Sequence, residues 1–405
     1  MLAQIDDEMR KRELEAVVVY GDSTLGNPDL TYVVGGTVVR GGVFFKRVGE
    51  EPVLIVGGPD IATAQAYNRV KKVCTYTEFG LEKLVMQYGH GKAFPHFLAK
   101  ILKENGVNGN VTLSGRNDIS TGLDLASHLS QLGYKVVGEN SPTLIEFLRE
   151  TKGPDELEEM RRVARKTGKV VDSILDILRD LKCKRGHLAV GGKPATIGLV
   201  KKLISEKLLA EGLREPEGTI FAQGSSAIPV HNMGIPGQRL KEGKLIIFDI
   251  FPQAESSYWC DMTRSFVLGR ADAKTKRIYE AVYAAQTETS DYLHAGVTCE
   301  EAMNKACDVV ERHGYRTVRD VYSGKAEEVP SGLTHTLGHG VGLTIGERPH
   351  LTFGNNESLK EMNVVTVEPG IYIPTYGGAR IEDTVAITPK GTENLTKVEK
   401  NVELT

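Results

Sequence analysis

Leu245-Ile246-Ile247-Phe248-Asp249 is an apolar run that ends in a carboxylate, and twelve positions further on Cys260-Asp261-Met262-Thr263-Arg264-Ser265-Phe266-Val267 carries a second one. Runs of this length and composition read as strands, and a hairpin joining them would bring both acids to one place. Alone, an aspartate at a strand end is usually a cap or turn residue. Three more residues change that reading. His339 lies in His335-Thr336-Leu337-Gly338-His339-Gly340-Val341-Gly342-Leu343. Glu368 follows Val364-Val365-Thr366-Val367 and precedes Pro369-Gly370. Glu382 lies in Gly377-Gly378-Ala379-Arg380-Ile381-Glu382-Asp383-Thr384. An acid in an apolar strand is costly unless paired or metal-bound, so for either glutamate by itself a salt bridge is the ordinary explanation. The glycines around His339 allow close backbone approach and disfavour a helix. The His-x-x-x-His spacing is not the zinc-helix motif, because Thr336 stands where that motif requires Glu. As a set, four carboxylates and one imidazole can hold two hard divalent ions side by side. Such a pair stabilises an attacking hydroxide and a developing oxyanion, which points to a hydrolase.

Upstream of this region the pattern differs. Ala16 to Tyr20, Thr31 to Val34, Gly42 to Phe45, Pro52 to Val56, Val111 to Leu113 and Lys135 to Val137 read as strands. Met9 to Glu15 reads as a helix, as does Pro95 to Glu104 with Pro95 in its first turn. At Glu150-Thr151-Lys152-Gly153-Pro154 the chain is punctuated. Pro154 opens a long amphipathic helix with Asp155, Glu156, Glu158 and Glu159 at its N-terminus, where the macrodipole favours negative charge. The spacing therefore predicts two domains, residues 1–150 and 151–405. Further helices are expected over Thr196 to Ala210, Asp272 to His294 and Glu300 to His313. Strands irregularly separated by helices argue for an α+β fold.

Composition removes several classes of function. In 405 residues the net charge is −3, which gives no whole-chain bias toward nucleic acid or anionic membrane. No apolar run approaches the length of a membrane span. Five cysteines (Cys74, Cys183, Cys260, Cys299 and Cys307) without a C-x-x-C argue against a disulfide framework or thiolate zinc site and fit a reducing, cytoplasmic compartment.

The order Asp, Asp, His, Glu, Glu, each in its own context, resembles the pita-bread metallopeptidase family over roughly residues 150 to 390. The Glu-Pro-Gly-Ile-Tyr run at 368 to 372 and the Gly-Ala-Arg-Ile-Glu-Asp run at 378 to 383 are most similar to its proline-specific branch, the Xaa-Pro dipeptidases and aminopeptidases. Residues 1–150 more weakly resemble the creatinase-like N-terminal domain of that branch. The resemblance implies hydrolysis of the peptide bond preceding proline, in a dipeptide or short peptide, by a homodimer. It makes Asp249, Asp261, His339, Glu368 and Glu382 the ligands of two divalent ions, with Asp261 and Glu382 bridging and Thr263 supporting them. Glu368 would also shuttle a proton. His231 matches a histidine that contacts substrate, and His335 the first histidine of the His-Gly-x-x-His run. Arg380 would lie near the substrate carboxylate, with Tyr372 lining the same pocket. Carboxylate-rich ligation favours Mn(II), with Co(II), Fe(II) and Zn(II) as alternatives.

Two departures stand out. The aspartates are one residue further apart than is usual in the family, and a bulge near Pro252-Gln253-Ala254 is one way to absorb it. Seven residues after the metal histidine the family usually has another histidine, where this chain has Gly346, with His350 four residues on. Losing a donor to the scissile carbonyl costs about two to three orders of magnitude in rate. Gly346 therefore keeps two alternatives open, an enzyme of this fold acting on a non-peptide metabolite and a catalytically retired binding protein.

Overall fold

The computed structural model describes residues 4–35, 38–184, 187–190 and 193–405. Two compact units divide the chain, Met1–Arg149 and Glu150–Thr405. The side chain of Cys183 lies outside the described set, and Cys74, Cys260, Cys299 and Cys307 are free thiols.

The first unit is a six-stranded mixed sheet in the order Lys72–Thr75, Val53–Val56, Arg40–Arg47, Leu14–Ser23, Asn110–Ser114, Lys135–Val136. The central strand is buried along Ala16 to Tyr20, which is why it reads as a continuous apolar run rather than an alternating one. Three expectations are corrected here. The first helix spans Ile5–Lys11, so Glu15 belongs to the strand that follows it. Thr31 to Val34 is helical, part of Pro28–Val34. Its β-branched residues are overruled by end signals: Pro28 in the first turn, an Asn27 side chain that accepts from the Leu30 amide, and a left-handed Gly35 at the end. The helix that contains Pro95 begins at His90, which places Pro95 beyond the first turn.

In the second unit Pro154–Arg179 is the expected long helix, burying a stripe that includes Leu157, Met160, Val163, Val170 and Ile174. Thr196 and Asp272 cap Ile197–Ala210 and Ala273–Tyr292 through their side chains, and Thr298 caps Cys299–Arg312. Beside smaller sheets that include the pair Gly370–Ile373 and Gly377–Arg380, two larger ones position the site. One runs Thr219–Gln223, Ile246–Ile250, Met262–Leu268, Glu403–Leu404. The other runs Ile345–Leu351, Gly338–Val341, Val364–Val367, Asp383–Thr388, Gly391–Asn394. A bridge between Thr263 and Glu382 joins them, with the Glu382 amide donating to the Thr263 carbonyl at 3.1 Å. Val282, Ala285, Met303 and Val310 from two helices pack with Val365, Val367 and Val385 of the second sheet in one apolar cluster.

Register decides which side chains meet. Asp249 pairs with Thr263, and Asp261 lies two residues before Thr263 on the same strand side. All three therefore project from one face of the hairpin. A one-residue slip within the ladder would turn one aspartate away. The ladder has no slip: pairing continues unbroken from Ile246–Phe266 to Ile250–Met262 and on to the Gln253–Trp259 bridge. The added residue sits instead at the tip, Glu255-Ser256-Ser257, where Ser257 takes a left-handed φ of 70° and the Ala254 amide donates to the Tyr258 carbonyl. Three-residue hairpin loops commonly end on such a residue. The bulge expected near Pro252-Gln253-Ala254 is thus a loop-tip residue. Trp259 is buried, and its Nε1 donates to the Leu343 carbonyl at 3.1 Å.

Candidate metal centre

Four strands and their ends bring the acids together. Asp249 and Asp261 come from the hairpin just described. Val364–Val367 pairs with Asp383–Thr388 up to Val367–Asp383, so Glu368 and Glu382 stand one step beyond the ladder, across from each other. One carboxylate oxygen from each of Asp249, Asp261 and Glu382 falls within 4.8 Å of the others, and all three residues are buried. His339 closes the arrangement: its Nε2 is 3.4 Å from Glu368 Oε1 and 3.7 Å from Asp261 Oδ2. The glycines beside it are there for space. A Cβ on Gly338 would collide with the Thr366 carbonyl, and one on Gly340 with the Arg348 carbonyl.

The electrostatics are those of an anion cluster short of cations. Burial, and then the neighbouring acids, push the pKa values of Asp261 and Glu382 well above the usual carboxylate range. Burial also raises Glu368, with His339 and Arg380 opposing it. Arg380 is buried and donates to Asp249 Oδ2 at 2.6 Å, to Tyr372 Oη at 2.6 Å and to Thr263 Oγ1 at 3.3 Å. Thr263 in turn donates to Glu382 Oε2 at 2.7 Å. One guanidinium cannot balance four acids, and Asp249 Oδ1 is buried with no hydrogen-bond partner. An orphaned buried carboxylate oxygen is costly. Oxygen-rich donors with one imidazole, gathered this closely, fit a pair of hard divalent cations.

A cavity of about 470 Å³ opens onto the cluster. Its lining includes all five candidate ligands, together with His231, His335 and Arg380. His335 Nδ1 is 2.7 Å from the Thr336 carbonyl, which can only accept, so Nδ1 carries the proton. Its Nε2 lies 3.2 Å from Tyr372 Oη. Arg380 already donates to that oxygen, leaving the tyrosine hydrogen free for the histidine. Burial and the Arg380 charge lower the His335 pKa to about 4, so the ring is neutral at physiological pH. Tyr372 does not line the cavity itself but is the link between Arg380 and His335. His231 is exposed at the cavity wall. Gly346 is exposed with φ 74°, and its amide is 3.2 Å from His339 Nδ1. His350 faces His339 across the strand pair but is not among the lining residues.

Two contributors were not singled out from sequence. Thr366 receives the His339 amide at 3.0 Å and donates to Glu368 Oε1 at 3.1 Å. Its signal was a lone hydroxyl in an apolar strand. Glu217, exposed at the wall, adds its charge to those that raise Asp261.

An α+β unit with a sheet-bound cluster of four acids and a histidine defines a metal-dependent hydrolase of pita-bread architecture. Residues 158–389 match metallopeptidase family M24, and the chain belongs to that family. It is 28% identical over 362 residues to the Xaa-Pro dipeptidase of Pyrococcus furiosus, covering 80% of this chain and 99% of that protein. Among solved structures it is similar to the prolidase from Pyrococcus horikoshii OT3, at 25% identity and TM-score 0.74, covering 99% of each chain. The X-Pro aminopeptidase from Thermotoga maritima shares the fold at 21% identity and TM-score 0.75, over 98% of this chain and 99% of that one.

Proposed function

We propose that the protein is a metal-dependent peptidase that hydrolyses the bond preceding proline in a dipeptide or short peptide. The observation that carries this is the convergence of Asp249, Asp261 and Glu382 within 4.8 Å at the floor of the cavity. The names borne by its relatives supply the substrate class. Asp249, Asp261, His339, Glu368 and Glu382 hold the metal pair, residues 151–405 form the catalytic domain and residues 1–150 the creatinase-like N-terminal domain. Mn(II) is the cation favoured by the donor set. Among the described residues no helix is long and apolar enough to cross a membrane. A cytoplasmic homodimer completes the reading.

When bound, two divalent cations polarise a scissile carbonyl and lower the pKa of water. The chain's own groups do the rest. Glu368, with its pKa raised by burial and its Oε1 fixed by Thr366, takes the proton of the attacking water. It returns that proton to the proline nitrogen as the C–N bond breaks. That nitrogen carries no hydrogen in the peptide, so it needs a proton to leave as an amine. His231 offers a ring nitrogen at the cavity wall for the substrate carbonyl, the duty left open by Gly346. The Arg380–Tyr372–His335 chain orients the wall next to it, where Arg380 also donates to the Val230 carbonyl at 3.5 Å.

Hydrolysis of an Xaa-Pro dipeptide and tripeptide panel by protein stripped of metal and reloaded with Mn(II) or Co(II) tests this, with Asp249→Asn as control. Metal-dependent cleavage lost in the control is the expected result. Tight metal uptake without cleavage of any peptide would overturn the proline assignment. It would favour the second reading, hydrolysis of a small non-peptide metabolite, which Gly346 supports.

A further inference from the structure

Glu217 is the one acid lining the cavity that does not belong to the metal cluster. It stands at the third position of a turn closed by the Gly218 amide donating to the Glu215 carbonyl at 3.0 Å. Pro216 fixes the second position of that turn. Glu215 is tied down by the Thr219 hydroxyl at 2.6 Å and by Ser205. Gly218 follows with φ 83°, in contact with Met233, where an added Cβ would come within 2.7 Å of Cε. The backbone that carries the carboxylate is therefore held in a defined turn rather than in a loose loop. No hydrogen bond or ion pair engages it among the described residues. The one Lys or Arg among the residues lining the cavity, Arg380, is already taken up by Asp249, Thr263 and Tyr372. The apolar part of the cavity lining includes Ile220, Met233, Phe251 and Ile345, with Met233 against the turn that carries Glu217. A cavity with an apolar lining and an unpaired carboxylate at its wall suits a side chain with an alkyl stem and a cationic head.

We propose that Glu217 makes this pocket selective for a cationic first residue, its carboxylate receiving a positively charged nitrogen of the residue before the scissile bond. This rests on the peptidase reading of the same site and adds its specificity. The nitrogen belongs either to a lysine- or arginine-like side chain or to the α-ammonium of the substrate, and the two sources separate experimentally.

The test compares metal-loaded wild type and Glu217→Gln in two ways. The first is KM and kcat for Lys-Pro, norleucyl-proline and Glu-Pro. The second is calorimetric binding of L-lysine and L-norleucine, which does not depend on turnover. Wild type is expected to bind lysine about five- to tenfold more tightly than norleucine, the range open to a partly solvated charge pair. The variant should lose that difference, with the matching change falling in KM. If the variant weakens lysine and norleucine equally, the α-ammonium is the group recognised. If the variant leaves both affinities and the dipeptide ranking as they were, the proposal is overturned, although cleavage of Xaa-Pro substrates would persist. If lysine selectivity depends on Glu217 but no dipeptide is cleaved, the recognition stands and the peptidase reading fails.

Discussion

Glu382 and Asp383 are neighbours in the chain, both buried and acidic, and their surroundings are opposite. Successive residues of a strand face opposite sides. Asp383 points to a network in which every oxygen is served: Arg264 at 2.8 Å, Lys400 at 2.6 Å, Asn394 at 2.8 Å and Gln286 at 3.1 Å. Arg264 is itself saturated by the carbonyls of Glu382, Thr396 and Val398. Those cations hold the Asp383 carboxyl below the usual range despite its burial. Glu382 faces other acids, and its pKa moves up. A buried charge with its partners in place is architecture. A buried charge set among like charges is a site kept ready for a ligand, and the protein carries one of each, one residue apart.

The largest effect expected from this contrast is on activity. Glu368→Gln removes the proposed proton shuttle and should lower kcat by about 10²- to 10⁴-fold. The folded fraction should be unchanged, as read by near-ultraviolet circular dichroism. A kcat within a few-fold of wild type would take Glu368 out of the chemistry.

On the Asp383 side the loss falls on stability. Asp383→Ala leaves Arg264 buried without its anion and should cost about 3–5 kcal/mol in urea unfolding. Glu382→Gln relieves repulsion and should leave the metal-free protein at least as stable as wild type, while abolishing activity. If both substitutions destabilise alike, the two acids are not different in kind.

Much of this contrast was legible in the sequence, and the reasons differ by residue. Asp249, Asp261 and Glu368 show as acids against apolar runs, a pattern a strand tolerates only with a partner. The glycines beside His339 signal close approach, and collisions that would occur at Gly338 and Gly340 are the cause. Thr31 to Val34 misled because β-branched composition speaks for strand while the decisive information lay at its ends, in Asn27, Pro28 and Gly35. The hairpin loop was misplaced because spacing counts residues without saying where the odd one goes. Glu217 was hidden altogether, and Arg380, Tyr372 and His335 were each named without the hydrogen bonds that link them, since only the fold brings those atoms together.

The titration behaviour of the two acids should differ in sign. Asp261 and Glu382 have folded-state pKa values raised above those of the unfolded chain, so their contribution is present in acid and is lost as pH climbs through the folded values. Asp383 behaves in the opposite way, losing its contribution as pH falls through its lowered value. His335, held at about 4, adds stability with rising pH up to its unfolded value near 6.5 and then levels off. Above pH 6.5 the acid cluster is therefore the main variable among these groups. The melting temperature of metal-free protein should fall as pH rises above the unfolded carboxylate range through the raised values of Asp261 and Glu382. Mn(II) should abolish that fall and stabilise more at the higher pH, because its ligands must be deprotonated. A metal-free melting temperature that stays flat over this rise in pH would mean that the cluster is not strained by its own charge.

The smallest effect tests the glycines against each other. Gly346 has φ 74° with open space around its Cβ position, so Gly346→Ala meets only backbone strain, about 1 kcal/mol. Gly338 has no such conformational demand, yet a Cβ there meets the Thr366 carbonyl and pushes on the strand that holds Glu368. Gly338→Ala should therefore cost more than Gly346→Ala in denaturant unfolding and should also weaken metal binding, which Gly346→Ala should not. The opposite ranking would make the left-handed φ of Gly346, rather than the close approach at Gly338, the feature that shapes the chain around His339, and would give this departure from the family pattern a structural rather than a catalytic meaning.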